Sequence, residues 1–245
     1  MKPNANPAFP ATRWTRVAAS QRDDDPEARA ALSDLCGLYW YPVYAEIRRS
    51  RSKEDAEDLA QSFFLRIIEK RVFDAADQAR GKFRSFLLAS LQHFLHNAHR
   101  HDMAECRAPQ RAIAFDAMAA DERYLTEPRD ERNPEHLFDR RYVTALLDAA
   151  MTELREEWTE SGQFAVFEAL AAHLSGGELE KTTRTDLATR LGISVSEVKA
   201  RRETLRRRLD AIITRRIEDT LRHPSESEVK AERDALLKVV MRFSA

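Results

Sequence analysis

Between Leu187 and Val198 the chain reads LATRLGISVSEV, and these residues leave the backbone few choices. A short helical pattern, Thr185 to Leu191, runs into Gly192, which suits the left-handed position just past a helix end. Ser194 and Glu197 then stand as S-x-x-E, a reciprocal cap that starts a second helix at Val195. Two helices joined by a tight glycine turn make a helix-turn-helix. Leu187, Ala188, Ile193 and Val198 put small and apolar side chains where the two helices cross. At 100° per residue, Val198, Leu205, Leu209 and Ile212 form a core-facing stripe. Ser196, Ala200, Glu203 and Arg207 lie opposite. Lys199, Arg202 and Arg206 border the stripe on one side, Arg201 and Arg208 on the other.

Charge sharpens this reading. The whole chain carries 40 Lys+Arg against 41 Asp+Glu, so its totals point to no partner. Locally, Lys181 to Arg216 holds eleven cations against four acids, enough for salt-sensitive attraction to a duplex. A small outward face with cationic borders suits the major groove, bases meeting the face and phosphates the borders. Ala200 permits close approach, and Glu203 can accept from a cytosine amino group. The residues expected at duplex DNA are Ser196, Lys199, Ala200, Arg201, Arg202, Glu203, Arg206 and Arg207. The competing reading is a solvated Arg-rich face in a coiled coil or bundle.

The rest of the text is also helical. Six Gly and nine Pro in 245 residues are few, and the abundance of Ala, Leu, Glu and Arg favours an all-α fold. Residues 1–25 form a Pro/Asn-rich lead. Residues 26–101 hold three helical patterns: one with a kink or break at Pro42, one with Leu59, Phe63 and Ile67 on a stripe widened by Phe64 and Ile68, and one with Phe86, Leu87, Ser90, Leu91, Phe94 and Leu95 in register. Residues 102–132 have no apolar period and read as an acidic linker. Asn133-Pro134 suits a helix start, opening a second helical domain over 133–216. Residues 217–245 form a tail that breaks at Pro224 and resumes as a last helix. The text reads as free of internal repeats and of strand-like alternation.

No apolar run is long enough for a membrane span, and the first residues lack an apolar secretory core. Cys36 and Cys106 offer no disulfide framework or CxxC motif, so a reducing bacterial-type cytoplasm is the expected location. Cys36, among Leu35, Leu38 and Trp40, reads as core. Trp158, Phe164, Phe167 and Leu170 read as packing between helices. His93, His96, His99 and His101 sit at a helix end without partners at a fixed spacing, so no metal is expected. No cofactor is expected, and no nucleophile–base arrangement speaks for an enzyme.

DAEDLAQSFFLRIIEKR (55–71), followed by RGKFRSFLLASLQHFLHNAHR (80–100), resembles the second region of bacterial sigma factors of the extracytoplasmic-function group. NPEHLF (133–138) and TRTDLATRLGISVSEVKARRETLRRRL (183–209) resemble their fourth region. The resemblance implies two all-α domains joined by an acidic linker, the second a winged-helix-like, four-helix unit with the helix-turn-helix. It implies that core RNA polymerase is a partner, through the beta-prime coiled coil and the beta flap. Asp55, Asp58, Gln61 and Phe64 match the coiled-coil contacts. Arg66, Lys82, Phe83, Arg84, Ser85 and His93 match the part that captures a flipped base of the minus-ten element, where cations and aromatic planes suit single-stranded DNA. The second domain would read the minus-thirty-five element, and the linker would thread toward the polymerase active centre. An anti-sigma factor is a further partner the resemblance admits. At Gln92-His93 the chain departs from the Arg-Asn pair many members carry, and its tail exceeds the minimal plan.

The function expected is promoter-specific initiation by a non-enzymatic, cytoplasmic factor. Two alternatives stay open. One is a stand-alone helix-turn-helix regulator that binds duplex without polymerase. The other is a polymerase-binding adaptor that never reads a promoter.

Overall fold

The computed structural model describes residues 26–69, 83–98, 117–127, 134–175, 179–221 and 224–243. Among them every regular element is helical: α1 Pro26–Arg48, α2 Lys53–Glu69, α3 Phe83–Ala98, α4 Ala117–Thr126, α5 Pro134–Glu160, α6 Phe164–Leu170 with a 3-10 turn at Ala171–His173, α7 Lys181–Leu191, α8 Val195–Glu218 and α9 Glu226–Phe243. None of these helices is long and apolar enough to cross a membrane. By its internal contacts the chain divides into two compact units. One is Leu146–Arg216; the other comprises the residues up to Ala145 and from Ile217 onward. The division falls inside α5 and not at residue 133, and α9 groups with the first unit and not with a separate tail. The lead 1–25 lies outside the described residues.

In the first unit α1 continues through Pro42 without a break. Its stretch from Leu38 to Ala45 is buried on every side, as expected of a helix at the centre of a unit. Cys36 is buried here too, and desolvation pushes its thiol up to about 12. The α2 stripe Leu59, Phe63 and Ile67 is buried, with Phe64 beside it. Phe63 meets Phe94 of α3 at 5.5 Å between ring centroids.

The acidic stretch is not a solvated spacer over 117–127. Its α4 is anchored on α1 by polar side chains. Tyr44 and Arg48 donate to Asp121 at 2.8 and 2.9 Å. Tyr41 and Arg141 donate to Glu127 at 2.6 and 3.0 Å, and Arg123 lies over the Tyr41 ring at 4.2 Å. These anchors carry no apolar period, which is why the sequence pattern misses the helix.

A second polar node sits at Arg84, near the start of α3. Only 4% exposed, it donates to Asp139 of α5 at 2.6 Å and pairs with Glu232 of α9. Its guanidinium lies 5.9 Å from the Tyr142 ring, and Tyr142 stacks on Tyr39 of α1 at 4.9 Å. One cation thus joins four helices. This corrects the expectation that Arg84 meets DNA.

In the second unit, Ala150, Leu154, Phe167, Leu170, Leu174, Leu187, Ala188, Val198, Leu205 and Ile212 form one core, with Trp158, Ile193 and Leu209 packed against it. Phe164 departs from the expected stripe. It is exposed, with the Arg155 guanidinium 5.4 Å from its ring.

Arg84→Ala is expected to lower unfolding free energy by about 3–5 kcal/mol, because it strands partly buried carboxylates. Urea denaturation followed by circular dichroism checks this. Burial alone would raise the Asp121 carboxyl, but the hydrogen bonds from Tyr44 and Arg48 outweigh it and hold the group below its ordinary value of 3.8. Its contribution is therefore complete above that value and is lost as pH falls through the lowered one. Acid titration of stability should show this loss in the wild type and not in Asp121→Asn.

Candidate nucleic-acid interface

The α7–α8 corner is built from local rules. α7 begins at Lys181, four residues earlier than the Thr185 expected, and ends at Leu191. Gly192 follows with φ 65° and ψ 30°. Its N–H donates to Thr189 O at 3.3 Å, and the Ile193 N–H donates to Ala188 O at 3.1 Å. This pair of bonds satisfies two carbonyls left over at the helix end and is the Schellman arrangement.

The cap follows at once. Glu197 N–H donates to Ser194 Oγ at 3.2 Å, and Ser194 N–H donates to Glu197 Oε2 at 2.9 Å. The backbone N–H of Ser194, then its hydroxyl, holds the Glu197 carboxyl below its ordinary range. From this start the α8 register is set. Val198, Leu205 and Ile212 are buried to 1% exposure or less, and Leu209 packs at the edge of the core.

The opposite face is open. Ser196, Lys199, Ala200, Glu203, Arg206 and Arg207 are exposed and Arg201 is half-buried. Arg202 is the exception among the expected duplex contacts. It is 8% exposed, and its Nε donates to His173 O at 2.6 Å. It fastens α8 to the 3-10 turn and is not at the surface that phosphates would reach.

The cations of α8 are sorted along its length. Arg208 forks onto Glu157 of α5 at 2.7 and 2.5 Å, a bidentate geometry that also draws the Glu157 carboxyl down. Arg215 and Arg216 both pair with Glu153. Among the described residues, no carboxylate pairs with Arg206 or Arg207. Both are exposed at the middle of α8.

In the first unit, Ser52 caps α2 by accepting the Asp55 N–H at 3.1 Å. Asp58 is exposed, and Asp55 and Gln61 are half-buried. Phe64 is 3% exposed, packed on Trp40 and Phe63 at 5.8 and 5.7 Å. It is a core residue and cannot serve as a docking contact. Arg66 is exposed over the Phe94 ring at 5.9 Å. Ser85 and His93 are exposed on α3. Lys82 and the Phe83 side chain lie outside the described residues.

Two features escaped the sequence reading. Val195, in the first turn of α8, is 40% exposed. The second is an internal repeat: SVSEVKA at 194–200 recurs as SESEVKA at 225–231, which corrects the reading of the chain as repeat-free. The signal was visible in the text, since six of these seven letters agree.

Compared with models of protein families, with curated proteins and with solved structures, the chain matches none.

The turn and cap are expected to be separable in stability. A Cβ at Gly192 would meet no atom within 4 Å, so Gly192→Ala should cost about 1–2 kcal/mol from the left-handed conformation alone. Gly192→Asn should cost less, since Asn visits that conformation more readily. Ser194→Ala should cost about 1 kcal/mol through the lost cap. Urea midpoints of the three variants check the order.

Proposed function

We propose that this chain is a promoter-specificity factor of sigma type, with two helical domains. The second is a helix-turn-helix that places α8 in the major groove of the minus-thirty-five element. The observation that carries the reading is the open face of Ser196, Ala200, Glu203 and Arg207 beside exposed Lys199 and Arg206, while the cations further along α8 are held by Glu157 and Glu153. Small residues suit close approach to base edges, and the cations suit phosphate.

The first domain would bind core RNA polymerase through Asp55, Asp58 and Gln61 on α2. It would hold unstacked minus-ten bases with Arg66, Ser85 and His93, which present a cation and polar groups suited to single-stranded DNA. Melting would draw its energy from trapping those bases and not from a reaction catalysed by this chain. Arg84, Arg202 and Phe64 are left out, because each is engaged in packing. Threading of the acidic stretch toward the polymerase active centre is not proposed for residues 117–127, which are bound to α1.

Run-off transcription with core polymerase on a promoter library tests the proposal. Initiation at a defined promoter subset is expected only when the protein is present. Tight binding to a palindromic duplex without polymerase would instead identify a stand-alone regulator. Binding to polymerase without directed initiation would identify an adaptor. Replacing Arg206 with Ala should lower the slope of log affinity against log salt by about one, as for the loss of one phosphate contact. Lys199→Ala with Arg207→Ala should also change which promoters are preferred.

A further inference from the structure

We propose that Val195 is a specificity residue of α8 that reads a thymine through its 5-methyl group. The inference rests on the proposed placement of α8 in the major groove. Val195 is an apolar, β-branched side chain 40% exposed beside exposed Ser196 and Lys199. The cap at the start of the helix does not require it, as the internal repeat shows.

α9 begins with the same local structure. Ser225 N–H donates to Glu228 Oε2 at 2.8 Å and Glu228 N–H donates to Ser225 Oγ at 3.3 Å, close to the distances at Ser194 and Glu197. The second serines also match, with Ser194–Ser196 at 2.9 Å and Ser225–Ser227 at 3.0 Å. Val198 and Val229 are both buried, as are Leu205 and Leu236. The one letter that differs between the heptapeptides is the first helical residue, Val195 in α8 and Glu226 in α9. An acidic side chain there suits the positive end of the helix dipole, and Glu is also the better helix former. The cap and the helix therefore work with Glu, and Val weakens the helix while exposing apolar surface.

What differs is the surroundings. Residues 194–209 hold six cations and two acids, whereas 225–240 hold three cations and four acids. The apolar residue stands at the head of the cationic copy and is replaced in the acidic one. The thymine methyl is the apolar group that a base edge presents in the major groove. The first residues of a reading helix are those that meet base edges. Val195 and Lys199 are one turn apart on a common side of the helix. With a thymine methyl against Val195, Lys199 would face a neighbouring base or phosphate.

Deoxyuridine in place of thymidine deletes the methyl and leaves the pairing intact. The test measures competition binding of the polymerase–protein complex to its selected promoter, with each minus-thirty-five thymidine replaced in turn. In the wild type one replacement should weaken binding about fourfold, as for about one methyl group returned to water. Val195→Ser should weaken binding to the unmodified promoter by a similar factor and become indifferent to the replacement. Val195→Ile should retain the sensitivity, which separates methyl recognition from misfolding. If the complex prefers a promoter but no thymidine is sensitive, or sensitivity persists in Val195→Ser, the role of Val195 is overturned while the groove reading stands. If no promoter is preferred at all, both fail.

Discussion

The left-handed residue at Gly192, locked between two hydrogen bonds to α7 and the cap at Ser194, is the constraint on which the second unit turns. It turns the chain from α7 into α8 within three residues and leaves no slack in where α8 begins. Because the cap fixes the first turn, it also fixes which residues point inward. Val198 enters the core one turn later, Leu205 and Ile212 follow, and each outward residue is placed by default. A slip of one residue would rotate α8 by about 100° and turn Lys199 toward the core.

Geometry alone does not make this corner a candidate for DNA, as α9 demonstrates. The same cap starts the same valine-inward register at Ser225, yet the borders differ: Arg201, Arg206 and Arg208 of α8 correspond to Glu232, Leu237 and Val239 of α9. Glu232 is drawn to Arg84 inside the first unit. One heptapeptide thus serves two ends, and the residues around it decide which. Along α8 itself, α5 supplies the second level of control. Glu153 and Glu157 hold Arg208, Arg215 and Arg216, while Lys199, Arg206 and Arg207 are exposed between the turn and the middle of the helix.

What was legible in the sequence was what local rules determine. Gly192, the Ser194–Glu197 cap and the stripe Val198, Leu205, Ile212 depend on neighbours within a few residues, as does the α2 stripe. The expectations that changed depend on distant partners. α4 was missed because Asp121 and Glu127 are anchored by Tyr44, Arg48, Tyr41 and Arg141, and such polar anchoring leaves no period. The division inside α5 and the grouping of α9 with the first unit likewise depend on contacts across the chain. Phe64 was assigned outward by resemblance although its place beside Phe63 already widened the apolar stripe.

The two expected DNA contacts that are structural, Arg84 and Arg202, share a positional cause. Arg202 stands four residues after Val198 and three before Leu205, both fully buried. Arg84 stands three and four residues before Leu87 and Leu88, also buried. Side chains three and four apart share a helix face, so each arginine starts at the margin of the core, and its guanidinium finds the nearest acceptor: a carbonyl for Arg202, carboxylates for Arg84. Arg207 has Glu203 and Asp210 at the matching offsets, and both are exposed. The outward side of α8 has exposed cations at Lys199, Arg206 and Arg207. The surface proposed to hold single-stranded DNA has Arg66 as an exposed cation among its described residues.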